Sequence, residues 1–409
     1  MILYIDPGTG SMLFTILLGI LGAAFYFIRD IIVKIKFRIS GGKADTDDSK
    51  LPIVIFSDHK RYWNVFGPIC DELEKREQKA VFMTASEDDP ALDKDYKYVE
   101  TMFIGEGNKA FSKLNMLKAY VVLSTTPSLD VFQWKRSRDV DFYVHIPHAA
   151  SDITAYRMFG IDYYDTILLS GKYQGEQIRK LESLRGEEPK EIEYVGIPFM
   201  DEMKKRLDSS SEKHDKSEKT VLLAPSWGKS GILYKYGKKL IDALIGTGYN
   251  IVIRPHPQSY TSDKDMLEAL MKAYPENDHL SWNKDNDNFD ILNKSDILIS
   301  DFSGVFFDYT LVFDKPIIYT EYEFDKSPYD SAWLDEEMWT FEVLPTLGRK
   351  LSIDDIDNIK GVIDSCIDSE EYKSGRDKAR EETWMYQGQG TTRTVDYIIN
   401  KYRSLKEGE

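Results

Sequence analysis

Residues 51 to 409 predict an α/β protein of two successive domains with mostly parallel sheets, and three observations carry that expectation. Short β-rich runs alternate with stretches of helical periodicity, the alternation stops at a polar segment, and it then restarts. Such alternation implies crossover connections, and open sheets built this way take ligands at the carboxyl ends of their strands.

The first forty residues stand apart. From Met12 to Ile28 the run MLFTILLGILGAAFYFI carries no charge, and at about 17 residues it meets the lower limit for a helix that crosses a bilayer. Only Asp6 precedes it, whereas Arg29, Lys34, Lys36 and Arg38 follow. A cleaved signal peptide shows the opposite order, and this bias leaves the following domain in the cytoplasm. Residues 1–40 are therefore expected to be a single-pass membrane anchor in the cell membrane. Gly19 and Gly22 leave a re-entrant hairpin or an interfacial helix as the alternatives.

A small, polar linker, 41–50, comes next. The first domain, 51–203, contains LPIVIFS at 51, KAVFMTA at 79, YVETMFIG at 98, AYVVLS at 119, DFYVHI at 141, TILLS at 166 and IEYVG at 192. Between the first two runs, Val65, Ile69 and Leu73 recur at helical spacing beside Phe66 and Cys70. The segment 204–219, KKRLDSSSEKHDKSEK, lacks apolar periodicity and reads as an interdomain linker. The second domain, 220–409, resumes with TVLLAPS at 220, YNIVIRP at 249, SDILIS at 295 and KPIIYT at 315, and ends in helices.

Composition narrows the function classes. A chain of 409 residues with 42% hydrophobic content buries a sizeable core. Its formal charge of −16, from 53 basic and 69 acidic side chains, argues against nucleic acid as the main partner. Cys70 and Cys366 have no metal-like spacing. DNDN at 285–288 reads as an Asn/Asp-rich loop better than as a metal site. No metal and no cofactor are expected.

Four strand ends carry candidate chemistry. In IRPHPQS, Pro255 and Pro257 hold Arg254 and His256 out of helix, at the edge of the second sheet where both would meet an anion. A proline-fixed turn whose histidine bonds only backbone is the structural alternative. In SDFSG, a strand ending at Ser300 leads into a helix beginning near Ser303, whose hydroxyl or that of Ser300 would cap it, and whose free N–H groups suit a phosphate. Asp301 is expected to cap or to orient a neighbour. In VHIPHAASD of the first domain, His148 would stand at the cleft mouth as a base, with Asp152 as its orienting partner, while His145 points into the core or caps a turn. In LLAPSWGKSG, with Ser226 counted in the same donor-binding loop, the backbone N–H groups of Gly228 to Gly231 with Lys229 would cradle phosphate and Trp227 would stack on a base, although the spacing is not that of a P-loop. A tight turn with a packed tryptophan is the alternative there.

In this order, the first-domain histidine after a strand, VGIP at 195, LLAPSWG, RPHPQS, SDFSG and FDKPIIY followed by an acidic stretch resemble the CDP-glycerol glycerophosphotransferase family. Its enzymes are similar to the teichoic acid primases and polymerases of bacterial walls. The resemblance covers residues 115–390. It implies a GT-B-like fold of two Rossmann-like domains facing a cleft, an acceptor domain followed by a CDP-donor domain, and membrane association. His256 with Arg254 would contact the donor phosphates, and Ser300, Asp301, Ser303 and Gly304 would form the turn at the CDP end. Glu321 or Glu323 would hold the ribose hydroxyls, and His148 would act as the base. Where the family commonly shows His-Gly-Thr, this chain has His148-Ala149-Ala150, a departure that bears on the base and on the acceptor.

The implied reaction moves glycerol phosphate from CDP-glycerol to a hydroxyl of a cell-surface polymer or a lipid-linked or glycan acceptor, releasing CMP without a metal. A GT-B glycosyltransferase using a nucleotide-sugar donor, a CDP-ribitol-using phosphotransferase and a membrane-tethered scaffold remain as rival readings.

Overall fold

A computed structural model describes residues 50–210, 218–285, 287–320, 324–367 and 369–408. The expected membrane anchor, nearly all of the 41–50 linker, residues 211–217 of the interdomain linker, and both Glu321 and Glu323 lie outside the described residues. Among the described residues, no helix is long and apolar enough to cross a membrane.

Eleven strands fall on the eleven runs singled out in the sequence. In the first sheet these are β1 (Leu51–Ser57), β2 (Ala80–Thr84), β3 (Val99–Phe103), β4 (Lys118–Ser124), β5 (Asp139–His145), β6 (Thr166–Leu169) and β7 (Glu191–Tyr194). The second sheet contains β8 (Thr220–Leu223), β9 (Asn250–Ile253), β11 (Ile297–Ser300) and β12 (Ile317–Thr320), together with two strands that periodicity did not mark, β10 (Leu280–Trp282) and β13 (Gly348–Leu351). Every pairing in the two sheets is parallel. The inner strands are apolar on both faces because helices cover both, as in β1, where Ile53, Val54, Ile55 and Phe56 are all buried.

Strand order is β3-β2-β1-β4-β5-β6-β7 in the first sheet and β10-β9-β8-β11-β12-β13 in the second. Each order reverses direction once, between β1 and β4 and between β8 and β11. The loops leaving those strands diverge and open a crevice at the carboxyl edge.

The two sheets share a core. One cluster of buried side chains runs from Ile53 and Phe82 in the first sheet through Met200 to Leu222, Leu298 and Phe306 in the second. The helix Pro198–Ser209 extends well into the segment that composition had marked as linker. The last helix, Gly390–Glu407, was assigned with the second domain, but it packs against the helix Trp63–Lys75 and against β4 and β1 of the first. Polarity explains the difference: this helix reads as amphipathic anywhere, and only the apolar face left open on the first sheet decides where Val395, Ile398 and Ile399 are buried.

Buried carboxylates tie the domains further. Asp201 accepts from Trp384 Nε1 at 2.8 Å and from the N–H groups of Gly388 and Gly390 at 2.7 Å, which satisfies backbone donors at the start of the last helix. Asp152 accepts from the N–H groups of Trp339 and Thr340, both at 2.8 Å, at the start of the helix Trp339–Leu347.

Candidate active site

A cleft of 580 Å³ lies between the carboxyl edges of the two sheets. The first domain lines it with Tyr62, Pro127, His148, Ala149 and Tyr156, and the second with Ser226, Trp227, Arg254, His256, Ser303 and Asp308. Approach is close: a Cβ placed on Gly304 would stand 3.7 Å from Cβ of Ala149. His148 and His256, far apart in the chain, thus line one cavity from opposite sides.

His148 follows β5 on a loop begun by Ile146 and Pro147. Its Nδ1 lies 3.2 Å from Thr125 Oγ1, just beyond β4, and 3.5 Å from the Tyr156 hydroxyl. The Tyr62 ring packs on the imidazole with centroids 4.8 Å apart. Burial, followed by the charge of Arg61 and the neighbouring His256, lowers its pKa to about 4. Asp152, the orienting partner expected from the sequence, does not serve there. Its oxygens face Trp339, Thr340 and Gln177, so Thr125 and Tyr156 hold the ring instead. His145 is fully buried, with Nε2 3.2 Å from the Tyr156 hydroxyl.

His256 is anchored differently. Its Nδ1 accepts the N–H of Gln258 at 3.1 Å, which places the proton of the neutral ring on Nε2. Burial, followed by the charge of Arg61, lowers its pKa to about 4. The two prolines keep the backbone from continuing β9 into a helix until Ser259. Arg254 hydrogen bonds through Nη1 to Asn283 Oδ1, and its backbone N–H donates to the Leu223 carbonyl at 2.8 Å. Burial lowers its pKa, against the pull of Asp285, Asp287, Tyr260 and Asp308.

The SDFSG turn is built around Asp301. This fully buried carboxylate accepts from the N–H groups of Ser226 at 2.9 Å, Ile232 at 2.9 Å and Phe302 at 2.7 Å, bracing the loop after β8 against the loop after β11. Burial raises its pKa, and the backbone donors oppose that rise. Ser300 donates to the Ala224 carbonyl at 2.7 Å. Neither Ser300 nor Ser303 caps the next helix, which spans only Val305–Phe307 before widening into a π-helical turn over Asp308–Val312. Ser303, Gly304 and Val305 line the cleft, while Ser300 and Asp301 stand behind it as braces.

The loop after β8 divides. Ser226 and Trp227 line the cleft, and the Trp227 ring is 45% exposed, available as a stacking face. Gly228 and Lys229 do not line it. The Gly228 N–H is committed to Asp263 Oδ2 at 2.9 Å, with φ +86°, and Lys229 is exposed to solvent. The expected cradle of backbone N–H groups from Gly228 onward is therefore absent, because a left-handed turn directs them away.

Several lining residues carried no sequence expectation. Tyr62 follows β1 in SDHKRY and Asn288 falls in the polar DNDN loop, while Thr125, which touches His148 from behind the lining, comes just after β4. Asp308 comes one helical turn after SDFSG, in FFDY. Its Oδ2 accepts from Asn288 Nδ2 at 3.3 Å, and burial raises its pKa to about 7 against the opposing effects of Asn288 and Arg254. Position just beyond a strand or one turn into the following helix was the available signal. No group of histidine, cysteine and acidic side chains suited to a metal ion occurs among the described residues.

Comparison with known proteins identifies the architecture. Over 147 residues the chain is 27% identical to the minor teichoic acid biosynthesis protein GgaB of Bacillus subtilis (strain 168), a match that takes in 31% of this chain and 15% of GgaB. The fold matches a structure of the wall teichoic acid polymerase TagF soaked with CDPG, with a TM-score of 0.57, 15% identity, and coverage of 93% of this chain and 97% of that one. It also matches a putative UDP-N-acetylglucosamine 2-epimerase from Listeria monocytogenes, with a TM-score of 0.56, 13% identity, and coverage of 87% and 97%. At these identities the solved structures establish a GT-B-like fold alone. The sequence profile of the CDP-glycerol:poly(glycerophosphate) glycerophosphotransferase family matches residues 160–399, which include β6, β7, the whole second sheet and most of the last helix, and the chain belongs to that family.

Proposed function

We propose that the protein transfers glycerol phosphate from CDP-glycerol to a hydroxyl of a cell-surface polymer or lipid-linked acceptor, releasing CMP. The observation that carries this reading is the family match across the donor half, together with a cleft in which His148 and His256 face one another from opposite domains.

In this reading the cytidine lies toward Ser226 and Trp227, and the pyrophosphate meets Arg254, His256 and the Ser303–Gly304 turn. Glu321 or Glu323 is assigned to the ribose hydroxyls. The acceptor hydroxyl attacks the β-phosphorus as His148 takes its proton; a new P–O bond forms, the bond to the CMP oxygen breaks, and CMP leaves as a phosphate monoester. For His148 to accept at Nε2, its Nδ1 must carry the proton and donate to Thr125 Oγ1, which the 3.2 Å separation permits. The depressed pKa leaves the ring neutral, and so free to accept a proton, throughout the physiological range. His256 donates from Nε2 to developing charge, a preorganised contact that needs no rearrangement during transfer. No metal is assigned in this reading.

Ala149 opposite Gly304 narrows the acceptor side of the cleft relative to glycine, which supports a subfamily with its own acceptor. Membrane association through residues 1–40 places the enzyme at the surface where a lipid-linked acceptor resides.

Calorimetric titration with CDP-glycerol, CDP-ribitol, CMP and UDP-sugars tests the donor. Selective CDP-glycerol binding, weakened in His256→Ala and retained in His148→Ala, is the expected pattern. Preference for a UDP-sugar would move the protein to the glycosyltransferases, and absence of nucleotide binding would leave the scaffold reading.

A further inference from the structure

We propose that Arg61, on the loop after β1, is a second cation of the phosphate site beside Arg254 and contacts the donor's β-phosphate from the first domain; this rests on the CDP-donor reading above.

Placement is the first argument. β1 lies beside β4 at the reversal point of the first sheet, so its loop opens onto the cleft. The loop is fixed by the Arg61 N–H donating to His59 Nδ1 at 3.1 Å and by Tyr62 packing on His148. Arg61 lines a second cavity, of 880 Å³, which shares Arg254 and Asn288 with the cleft. The two arginines, one from each domain, thus flank a common passage.

Unspent hydrogen-bonding capacity is the second. Most other cations around that cavity are engaged: Lys75 pairs with Glu72, Lys205 with Glu202 and Arg206 with Asp287, and Lys94 lies over the Trp63 ring. Arg61 has no ion pair among the described residues, and its buried Nε has no hydrogen-bond partner. Asp58, three residues earlier, likewise keeps a buried Oδ1 without one, so the two charges do not close on each other. A buried donor on a cation without an acceptor is costly, and an anionic ligand removes that cost.

Reach is the third. The charge of Arg61 depresses the pKa values of both His148 and His256, which stand on opposite walls. It therefore lies within electrostatic range of both groups that the transfer uses. The phosphoryl group in flight carries negative charge on its equatorial oxygens, and a planar guanidinium fork suits two such oxygens. Arg61 precedes the family-matched region, so the family match did not identify it.

CDP and CMP separate the claim from its neighbours, because only CDP carries a β-phosphate and neither requires an acceptor. Calorimetry on the full chain should show Arg61→Gln weakening CDP by about 10- to 100-fold, the range for losing a charge-assisted hydrogen bond, with CMP affinity held within about 3-fold. Arg61→Lys should fall between. Retained CMP binding also reports that the variant is folded. An unchanged CDP affinity, or equal losses of CDP and CMP, would overturn the assignment while leaving the donor reading intact. Failure of the wild-type protein to bind either nucleotide would remove the donor reading and this inference together.

Discussion

Thr125 Oγ1 lies 3.2 Å from Nδ1 of His148, and the two residues stand on the loops that leave the adjacent parallel strands β4 and β5 at the carboxyl edge of the first sheet. In the proposed mechanism the hydroxyl oxygen accepts a hydrogen bond from Nδ1–H, which leaves Nε2 free to take a proton from the attacking alcohol. Thr125→Val keeps the shape and removes that acceptor. CMP release should fall by about 5- to 30-fold, the effect of losing one hydrogen bond to a group that becomes charged, while calorimetric affinity for CDP-glycerol stays unchanged. Thr125→Ser should retain most of the rate. An equal loss in Thr125→Ser would show that packing of the threonine methyl matters more than its hydroxyl.

The two cleft imidazoles give a pH signature. His148 and His256 have folded-state pKa values lowered to about 4 from an ordinary value of 6.5, with burial as the leading cause for both. A base must be neutral to work, so kcat/KM should stay level on its acid side from pH 8 down to pH 5 and fall only as the pH drops through about 4. The sign for stability is the same. Between pH 4 and 6.5 the unfolded chain binds more protons than the native one, so stability should climb as pH rises through that window and level off above it. Denaturant unfolding across pH 4.5 to 7 should show a shallower climb in His148→Ala. A slope identical to wild type would show that the imidazole is not held neutral by its surroundings.

How far the sequence reached depended on whether a feature is local. Apolar β-branched runs marked eleven strands because both faces of a parallel sheet are covered, which leaves a continuous signature. β13, GRKL, has two cations and a glycine and carried no such mark. It forms because β12 offers an edge, and Gly348 lies so near the Ile317 carbonyl that a side chain would collide. The donor loops were legible because strand end and turn are contiguous in RPHP and SDFSG. Arg61, Thr125, Tyr156 and Asp308 were not, since topology rather than sequence separation brings them to His148 and His256. Asp152 was misread for the same reason: four residues from His148 in the chain, it spends its carboxylate on N–H groups 187 and 188 residues away.

Asp301 joins the loops after β8 and β11 through three N–H groups, so its removal should release both. Asp301→Ala leaves those donors unpaired in a dry interior, and urea unfolding should record a loss of about 2–4 kcal/mol. CMP affinity should fall as well, because Ser226 and Trp227 lose their anchor. Trp227→Ala provides the contrast: its ring is largely open to solvent, so stability should hold within about 0.5 kcal/mol, while CMP affinity drops about 5- to 50-fold through lost base stacking. If Asp301→Ala kept CMP affinity, the brace would have no bearing on the nucleotide.

Asp308 supplies a prediction that involves donor and proton together. Its folded pKa is raised to about 7 from 3.8, with burial as the leading cause. Between those values the native state binds more protons than the unfolded chain, so this group makes stability fall as pH rises from 3.8 through 7. Asp308→Asn removes the ionisation and keeps an acceptor for Asn288, so its stability advantage over wild type should be largest at pH 8 and shrink steadily as the pH falls toward 3.8. In the proposed complex, the donor pyrophosphate brings negative charge to a cleft that Asp308 lines, which pushes the carboxyl pKa further up. Donor binding near pH 7.5 should therefore take up a fraction of a proton. Titrations in buffers of different ionisation enthalpy measure that fraction directly. Asp308→Asn should abolish it, whereas uptake that persists in the variant would assign the proton to one of the two cleft imidazoles and leave Asp308 ionised or neutral throughout.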